Sequence, residues 1–588
     1  MNQNEREMIR KEKSGAILVR RQNVVLGVML SACMVIALKI VFLDTEGLRA
    51  KGDRQYLREI EVLPNRGRII DRNGEILSAS TPVRALTANP REFCPNWPDQ
   101  DREIRQAMLD ETGLSEQVLS QKCEGFSRAS FMYIKRGLPP EIAEKVMAMK
   151  IPGLRSVVEQ KRFYPGGTVS AHLLGFTDID DKGQEGLERA YDSLLTGEAG
   201  SYLVLQGPGG PNVEMVGSVK PVRHGEDLRI SIDQRVQSLA SRHLESAILE
   251  HEASGGSVVV LAVPSGEILA MVNSPRFNAN NRSTLKGNVF RNRAVTDVFE
   301  PGSTVKPFTI AMVLEHGEMD EETLVDTGTG TLNVGGYTIR DTHNHGMISV
   351  SDILVRSSNV GAAKLALERP FDELFETFER VGFGERVLGQ DRADRGRLPG
   401  EISGLLARRT ETSEHATMSY GYGFSSTLLQ LARAYTVFAT DGEVLPVTLM
   451  PRQPGYRASG TRVFKADTVH RVRAMLEKVA TPEGTARKAA IARYRTGGKT
   501  GTTRKLINGE YSTEHYLSLF AGLAPVTGPR FVVVVVIDDP QGKHYYGGAV
   551  AAPVFSGLVS DLMRLYNIEP DGLDQPRVTS LSEANNNV

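Results

Sequence analysis

A chain of 588 residues is too long for one ordinary domain, so two or more folded units are expected. The 70 Lys and Arg residues are balanced by 71 Asp and Glu residues, which leaves a net charge of -1. This balance excludes the strong basic excess of a dedicated nucleic-acid-binding protein, and it identifies no other partner.

The N-terminus has the pattern of a membrane anchor. Basic residues are concentrated in residues 1–22, and an apolar run follows at residues 24–43. About 20 apolar residues span a bilayer, and Lys and Arg before them predict a cytoplasmic N-terminus. We therefore predict a cytoplasmic tail at 1–22, a transmembrane helix at 23–43 and an exported remainder. A cleaved signal peptide is the alternative, but residues 44–50 contain no small-x-small cleavage site, which favours a retained anchor.

The next segment, residues 44–225, is predicted to be a β-rich module without obvious chemistry. Short apolar runs alternate there with turn signals such as Asp71-Arg72-Asn73-Gly74 and Tyr164-Pro165-Gly166-Gly167. Its end is placed at residue 225, after a stretch rich in Gly and Pro. Cys94 and Cys123 could pair in an oxidising compartment. Sequence separation says nothing about geometry, however, so the sequence favours free thiols.

Residues 226–567 are predicted to form a mixed α/β domain, followed by a flexible tail at 568–588. Strand-like runs occupy residues 257–263 and 267–272, and a nearly all-valine run occupies residues 531–537. Helical patterns lie between them, at residues 304–315 and 428–438. Strands at both ends with helices between them indicate one antiparallel sheet shared by the two ends of the domain.

Three short motifs follow one another in this domain. They are Ser303-Thr304-Val305-Lys306, Ser357-Ser358-Asn359 and Lys499-Thr500-Gly501-Thr502. Each alone is weak, since Ser is a common N-cap residue and polar or Gly-rich loops are frequent. Together, in this order, they match the motif set of penicillin-binding proteins and class A β-lactamases.

The residue types suit acyl transfer. Pro301-Gly302 predicts a turn that starts a helix at Ser303, which brings Lys306 to the same face as a base for the serine hydroxyl. Ser357 and Asn359, one residue apart in an extended or loop segment, would project to one side as a hydroxyl and an amide. Lys499 to Thr502 would present a cation, two hydroxyls and a glycine without a side chain, against which a substrate backbone lies as an added strand.

The sequence resembles the class B penicillin-binding proteins, and the stretch from Arg291 to Pro307 is similar to their septal, division-specific type. Further likeness lies in Arg66-Gly67-Arg68-Ile69-Ile70-Asp71-Arg72-Asn73-Gly74, Arg162-Phe163-Tyr164-Pro165-Gly166, Gly183-Gln184-Glu185-Gly186-Leu187-Glu188, Ser419-Tyr420-Gly421-Tyr422-Gly423 and Tyr545-Tyr546-Gly547-Gly548. One departure is Leu428, where the family usually has proline.

The resemblance implies a fold and a set of roles. The fold is an α/β (α+β) penicillin-binding, β-lactamase-like transpeptidase domain with a five-stranded antiparallel sheet flanked by helices. An elongated β-rich N-terminal pedestal and one transmembrane helix precede it. Ser303 would be the acylated nucleophile, with Lys306 as its base and Ser357 as a proton relay. The implied substrate ligands are Asn359, Lys499, Thr500, Gly501 and Thr502, with the N–H groups of Ser303 and Thr502 as the oxyanion hole.

The expected activity is D,D-transpeptidation of peptidoglycan stem pentapeptides in the periplasm at the inner membrane, with β-lactams as inhibitors. The resemblance also implies an FtsW-like glycan polymerase and other division proteins as partners. An elongation-type transpeptidase, a D,D-carboxypeptidase and a β-lactam-sensing scaffold stay open as alternatives. No cofactor or metal is expected, because His343-Asn344-His345 has no acidic or thiol ligand at suitable spacing.

Overall fold

A computed structural model describes residues 3–42, 57–126, 129–206, 212–281, 287–389, 397–408 and 411–572. The tail expected to be flexible falls mostly outside this range. The strands are β1 Leu57–Val62, β2 Ile69–Ile70, β3 Ile76–Ala88, β4 Met132–Leu138, β5 Leu154–Phe163, β6 Gly200–Gln206, β7 Asn212–Lys220, β8 Leu228–Arg229, β9 Gly255–Ala262, β10 Ile268–Ser274, β11 Leu324–Asp326, β12 Thr331–Val334, β13 Tyr337–Arg340, β14 Met347–Ser349, β15 Glu443–Val444, β16 Thr461–Arg462, β17 Gly497–Ile507, β18 Glu510–Ala524 and β19 Phe531–Asp538.

The helices complete the element order. They are α1 Gln3–Val41, α2 Pro90–Asn96, α3 Arg102–Thr112, α4 Glu116–Gly125, α5 Pro140–Ala148, α6 Ala171–Leu174, α7 Gly186–Ala190, α8 Asp192–Thr196, α9 Gln234–Glu250, α10 Arg293–Thr296, α11 Lys306–Glu315, α12 Val350–Val355, α13 Asn359–Leu367, α14 Phe371–Arg380, α15 Thr412–Met418, α16 Leu428–Ala439, α17 Ala466–Val479 and α18 Gly547–Leu565, with 3₁₀ turns at Gly302–Val305 and Arg487–Ala489.

Helix α1 covers the predicted anchor as far as Val41, and residue 43 of the prediction lies outside the described residues. It is long and apolar enough to cross a membrane, and its side chains from residue 6 onward are exposed. The helix begins well before the predicted span because the basic segment is rich in Arg, Lys and Glu, which are good helix formers. Helix α18 meets the same length and composition criterion, but it is half buried within the fold.

The chain divides into two units, one formed by residues up to Pro64 together with Glu198–Arg223 and the other by the rest. In the first unit, β1, β6 and β7 form a three-stranded antiparallel sheet. Strands β6 and β7 occupy much of the Gly- and Pro-rich stretch that the sequence analysis used to place a boundary. Residues 207–211 of that stretch lie outside the described part of the chain.

In the second unit, residues 65–197 hold the remaining strands predicted for the N-terminal module. The 13-residue strand β3 pairs with both β4 and β5, and the predicted turn at Asp71 forms, with the Gly74 N–H donating to the Asp71 carbonyl. The structure adds helices α2 to α8. These helices are short, and the turn signals around them hid their helical periodicity in the sequence. Helices α2 to α5 pack with β3, β4 and β5 around a separate apolar core, whereas the buried residues of α6 to α8 belong to the large core of the unit.

The expectation of free thiols was wrong. Cys94 and Cys123 form a disulfide between α2 and α4, with their Cα atoms 5.7 Å apart. Both cysteines pack against the same core, around Phe93 and Leu119. That shared packing brings together residues that are 29 positions apart, and spacing alone could not reveal it.

The domain that follows confirms the predicted antiparallel sheet. Its strand order is β10-β9-β19-β18-β17. Strand β9, near the start of the domain, therefore pairs directly with β19, near its end. Strand β19 is buried along almost its whole length, which explains its valine run. Helices α9 and α18 pack on the sheet and on each other, and α16 packs on β9, β18 and β19. Strand β17, which carries Lys499 to Thr502, lies at the sheet edge.

Candidate active site

The segment around Ser303 is a 3₁₀ turn rather than the start of an α-helix. Gly302–Val305 form the turn, and α11 begins only at Lys306. Pro307 has no N–H to donate to the Ser303 carbonyl, so the Lys306 N–H takes that place. Residues i and i+3 eclipse one another in a 3₁₀ turn. The change of helix type is therefore compatible with the predicted placement of Ser303 and Lys306 on one face.

This turn is held between two neighbouring segments. Gly302 has φ 55°, and a Cβ there would collide with the methyl group of Thr503 on β17. On the other side, the Gly302 N–H donates to the Gly421 carbonyl over 3.0 Å, and a Cβ at Gly421 would collide with the Gly302 backbone. Glycine at both positions lets backbone segments approach closely enough to fix the serine.

Lys306 is fully buried and points into the second motif. Its Nζ lies 2.6 Å from the carbonyl oxygen of Ser357, 3.2 Å from Ser357 Oγ and 2.8 Å from Asn359 Oδ1. Helix α11 carries the lysine, and the start of α13 carries the asparagine. The structure thus brings the first two motifs together at one amine.

The sequence analysis expected the second motif in an extended or loop segment, and the structure places it in a tight turn that leads into a helix. Ser357 has φ 63°, a left-handed conformation that costs a non-glycine residue about 1–3 kcal/mol. Ser358 then caps α13, with its Oγ accepting from the Gly361 N–H at 2.9 Å, and Asn359 is the first helical residue. Both Ser357 and Asn359 nevertheless reach Lys306, because the tight turn and the helix start point them to the same side.

Asp341 holds this turn, and the sequence analysis missed it. Its Oδ1 accepts from the backbone N–H groups of Asn359 and Val360, and its Oδ2 accepts from the Ser358 hydroxyl at 2.6 Å. The residue lies just before His343-Asn344-His345, a segment that the sequence analysis considered only as a metal site. An Asp shortly before Ser-x-Asn carries no recognisable spacing, so only the fold shows that it stabilises the strained turn.

The third motif completes the cluster. Lys499 is fully buried, and its Nζ donates to Ser357 Oγ at 3.0 Å and to Thr500 Oγ1 at 3.2 Å. The Thr500 hydroxyl also lies 3.0 Å from the hydroxyl of Thr485. Ser357 Oγ is therefore within hydrogen-bond distance of both lysine amines. A hydroxyl between two amines can accept a proton from one side and donate one to the other.

Gly501 and Thr502 have structural contacts that sequence reasoning did not give. A Cβ at Gly501 would lie 2.9 Å from Thr304 Cγ2 and 3.2 Å from the Pro301 carbonyl oxygen. Glycine is thus needed for the strand to approach the serine turn, whereas the sequence analysis explained it by the approach of substrate. The Thr502 hydroxyl accepts from the Gly547 N–H at 3.0 Å, which ties β17 to the start of α18.

Burial changes the acidity of both lysines. Loss of hydration lowers the pKa of Lys306 well below its usual value; the charge of Lys499 lowers it further, and Asp341 acts in the opposite direction. Burial lowers the pKa of Lys499 to about 7. One of the two amines can therefore be neutral near neutral pH, which an exposed lysine cannot be.

Comparison with known proteins places these motifs in a family. Residues 256–560 match the model described as penicillin binding protein transpeptidase domain, and residues 61–230 match the penicillin-binding protein dimerisation domain. The chain is 38% identical over 557 residues to peptidoglycan D,D-transpeptidase FtsI of Escherichia coli (strain K12), covering 93% of this chain and 92% of that protein.

Two further relatives agree with this match. The probable peptidoglycan D,D-transpeptidase PenA of Neisseria meningitidis serogroup A is 38% identical over 527 residues, covering 89% of this chain and 88% of the relative. Among solved structures, the apo transpeptidase domain of Burkholderia pseudomallei penicillin-binding protein 3 matches with a TM-score of 0.53 and 38% identity. That match covers 58% of this chain and 97% of the solved domain.

Proposed function

Because this chain belongs to the penicillin-binding protein transpeptidase family, we propose that it cross-links peptidoglycan stem peptides through an acyl-enzyme on Ser303. One observation carries the proposal. Ser357 Oγ lies 3.2 Å from Lys306 Nζ and 3.0 Å from Lys499 Nζ, so three separate segments converge on one hydroxyl beside the serine turn.

In the acylation step, the neutral amine of Lys306 takes the Ser303 proton as Oγ attacks the carbonyl of the penultimate D-Ala. The buried position of Lys306 favours the neutral amine that this step requires. The proton then passes through Ser357 Oγ to the nitrogen of the terminal D-Ala, which leaves as a free amino acid. The product is an ester between the shortened stem peptide and Ser303.

The remaining motif residues bind the donor. Asn359 holds a substrate amide, and Lys499, Thr500 and Thr502 bind the terminal carboxylate of the donor, which lies along the edge strand β17. Gly501 allows that strand to approach Ser303. The backbone N–H groups of Ser303 and Thr502 stabilise the oxyanion, an interaction whose single donors are typically worth about 10²–10³ in rate.

In the second step, an amine of a neighbouring stem attacks the ester and Ser303 is regenerated through the same proton path in reverse. Penicillins and other β-lactams resemble the donor end, acylate Ser303 and remain there. No cofactor takes part in either step, because the nucleophile, base and relay are all side chains of this chain.

The test is labelling with a fluorescent penicillin. We expect the unsubstituted protein to be labelled, Ser303→Ala to show no label, and Ser238→Ala, at an exposed position on α9, to label normally. Thermal unfolding of Ser303→Ala should match that of the parent protein. Persistent labelling of folded Ser303→Ala would refute the assignment of the nucleophile.

The proposed cellular setting is the inner membrane, crossed once by α1 with a cytoplasmic N-terminus and a periplasmic catalytic domain. The septal role is supported by likeness to the relatives named FtsI. It implies an FtsW-like polymerase and other division proteins as partners. Depletion of the protein followed by microscopy tests this role: filaments are expected, whereas round cells would indicate the elongation-type alternative.

A further inference from the structure

A carboxylate with no cationic partner lies beside the serine turn. Glu300 comes three residues before Ser303, a distance of at most about 11 Å along an extended chain. Phe299 next to it exchanges backbone hydrogen bonds with Ser426 at 2.9 and 3.0 Å, which fixes the segment alongside residues 421–426. Glu300 is partly buried, so its charge is not fully hydrated.

The hydrogen bonds of Glu300 come from uncharged donors. Both of its carboxylate oxygens accept from the hydroxyl of Tyr511, at 2.9 and 3.0 Å, and Oε1 also accepts from the Gly423 N–H at 2.9 Å. In the described part of the chain, no Lys, Arg or His forms an ion pair with it. Asp538 on β19, by contrast, pairs with both Arg293 and Lys505.

Aromatic rings line the same place. The ring of Tyr422 lies edge-on to that of Tyr511 with centroids 5.9 Å apart, and Tyr420 lies 5.7 Å from Tyr422. Tyr511 is 45% exposed and Tyr422 is partly exposed, so ring surface is available to a ligand. Burial raises the pKa of Glu300, and the hydrogen bonds from Gly423 and Tyr511 offset only part of this rise. The carboxylate charge has lost part of its hydration, so a bound cation would stabilise it.

One carboxylate beside aromatic rings suits an organic ammonium better than a metal ion. An ammonium has a single charge and three N–H donors, and it binds favourably to ring faces. A divalent metal needs several oxygen ligands, and the described residues contain no group of three or more His, Cys, Asp or Glu placed to hold one. The reaction proposed above supplies a ligand of this type, because the acyl group on Ser303 is transferred to an amine.

We propose that Glu300, with the rings of Tyr422 and Tyr511, binds the side-chain ammonium of the acceptor stem peptide next to the acyl-enzyme. This inference rests on the proposed transpeptidase function and names its acceptor subsite. The carboxylate attracts the amine in its charged form and holds it close to the Ser303 ester. The ammonium gives one proton to water before it attacks as the neutral amine, and its second proton passes through Ser357 and Lys306 to the leaving Ser303 Oγ. Glu300 thereby selects between transfer to an amine and hydrolysis by water.

The test measures how the acyl-enzyme partitions. A D-alanyl thioester donor acylates Ser303, and mass spectrometry quantifies transfer and hydrolysis products as the concentration of a diamino-acid acceptor peptide is raised. Glu300→Gln keeps the shape and removes the charge. We expect the acceptor concentration for half-maximal transfer to rise about tenfold, because a charge-assisted hydrogen bond is lost. Glu379→Gln, an exposed carboxylate on α14, should leave the curve unchanged.

A second acceptor separates binding from a structural effect. With hydroxylamine, which is largely uncharged at neutral pH, Glu300→Gln and the parent protein should give the same transfer curve. An equal loss with both acceptors would mean that Glu300 only shapes the serine turn, and the inference would be overturned. An unchanged curve with the diamino-acid acceptor would overturn it as well.

Tyr511→Phe keeps the inference testable if Glu300→Gln does not fold. It retains the ring and the carboxylate charge but removes the hydroxyl that competes for that charge, so the half-maximal acceptor concentration should stay the same or fall. A tenfold rise would contradict the subsite. Failure of the parent protein to be acylated by the thioester would instead refute the proposed function itself.

Discussion

Two clusters of buried charge lie in the second unit, and they differ in how the charges are balanced. In the N-terminal module, Arg66 and Arg162 share the carboxylate of Glu188, with N–O distances of 2.8 and 2.7 Å. In the catalytic domain, Lys306 and Lys499 share only the neutral hydroxyl of Ser357. All four cations are at most 5% exposed, so burial alone does not distinguish the clusters.

The difference decides which cluster can do chemistry. Burial alone would lower the pKa of Arg66, but the carboxylates of Glu188 and Asp192 raise it above its usual value, so the cation is fixed. The two lysines have lowered pKa values and can change protonation state. An ion cluster with matched opposite charges holds its segments together, whereas two amines of lowered pKa on either side of a hydroxyl can pass a proton.

The largest expected effect is in the catalytic cluster. Lys306→Ala removes the base, so the acylation rate constant should fall by about 10²–10⁴ while initial β-lactam affinity is kept. Lys499→Ala should also weaken initial binding, roughly ten- to a hundred-fold, because a charged hydrogen bond to the carboxylate is lost. Stopped-flow acylation resolves the two steps, and Lys145→Ala, at an exposed ion pair, is the control. Equal initial affinities in both variants would remove the carboxylate-binding role of Lys499.

The next effect is on stability and lies in the N-terminal module. Glu188→Ala leaves two buried guanidinium groups without their shared carboxylate, so the free energy of unfolding should fall by about 3–5 kcal/mol. Asp227→Ala breaks the exposed pair with Arg68 and should cost much less, because water screens both charges. Urea and thermal unfolding of both variants measure this. Similar small losses would show that the buried cluster is not a structural joint.

The smallest effect concerns Asp341. Asp341→Ala removes the acceptor for two backbone N–H groups at the start of α13 and should cost about 0.5–2 kcal/mol, as for other helix caps. It should also slow acylation, because the Ser357 turn loses its support. Asp101→Ala removes the cap of α3, which accepts from the Glu103 N–H, and serves as the matched control. If both variants acylated at the parent rate, Asp341 would have no part in positioning Ser357.

Much of the fold and most of the site could be predicted from the sequence. The valine-rich runs predicted the central sheet, and the capping box of Thr427 and Gln430 starts α16 at Leu428 even though proline is absent there. The three motifs are recognisable from local spacing, so Ser303, Lys306, Ser357, Asn359 and Lys499 were predicted as a set. The contact of both lysine amines with the Ser357 hydroxyl was visible only in the structure.

What the sequence could not reveal depends on contacts between distant segments. Arg66, Arg162 and Glu188 appeared in three separate family motifs, and nothing in any motif shows that they form one ion cluster. The partnership of Asp341 with Ser358 and the collision that excludes a side chain at Gly501 are likewise tertiary facts. Such contacts depend on how distant segments pack, and they produce no periodic pattern in the sequence.

The second-order rate of β-lactam acylation as a function of pH tests most directly the claim that two buried lysines, one neutral and one charged, carry out the chemistry. The rate should rise with pH as Lys306 loses its proton, and it should fall again near pH 7 as Lys499 loses the charge that binds the carboxylate. Lys499→Arg should lose this alkaline limb, because a guanidinium stays charged. A rate that fell only near the usual lysine pKa, or an alkaline limb that persisted in Lys499→Arg, would contradict the account.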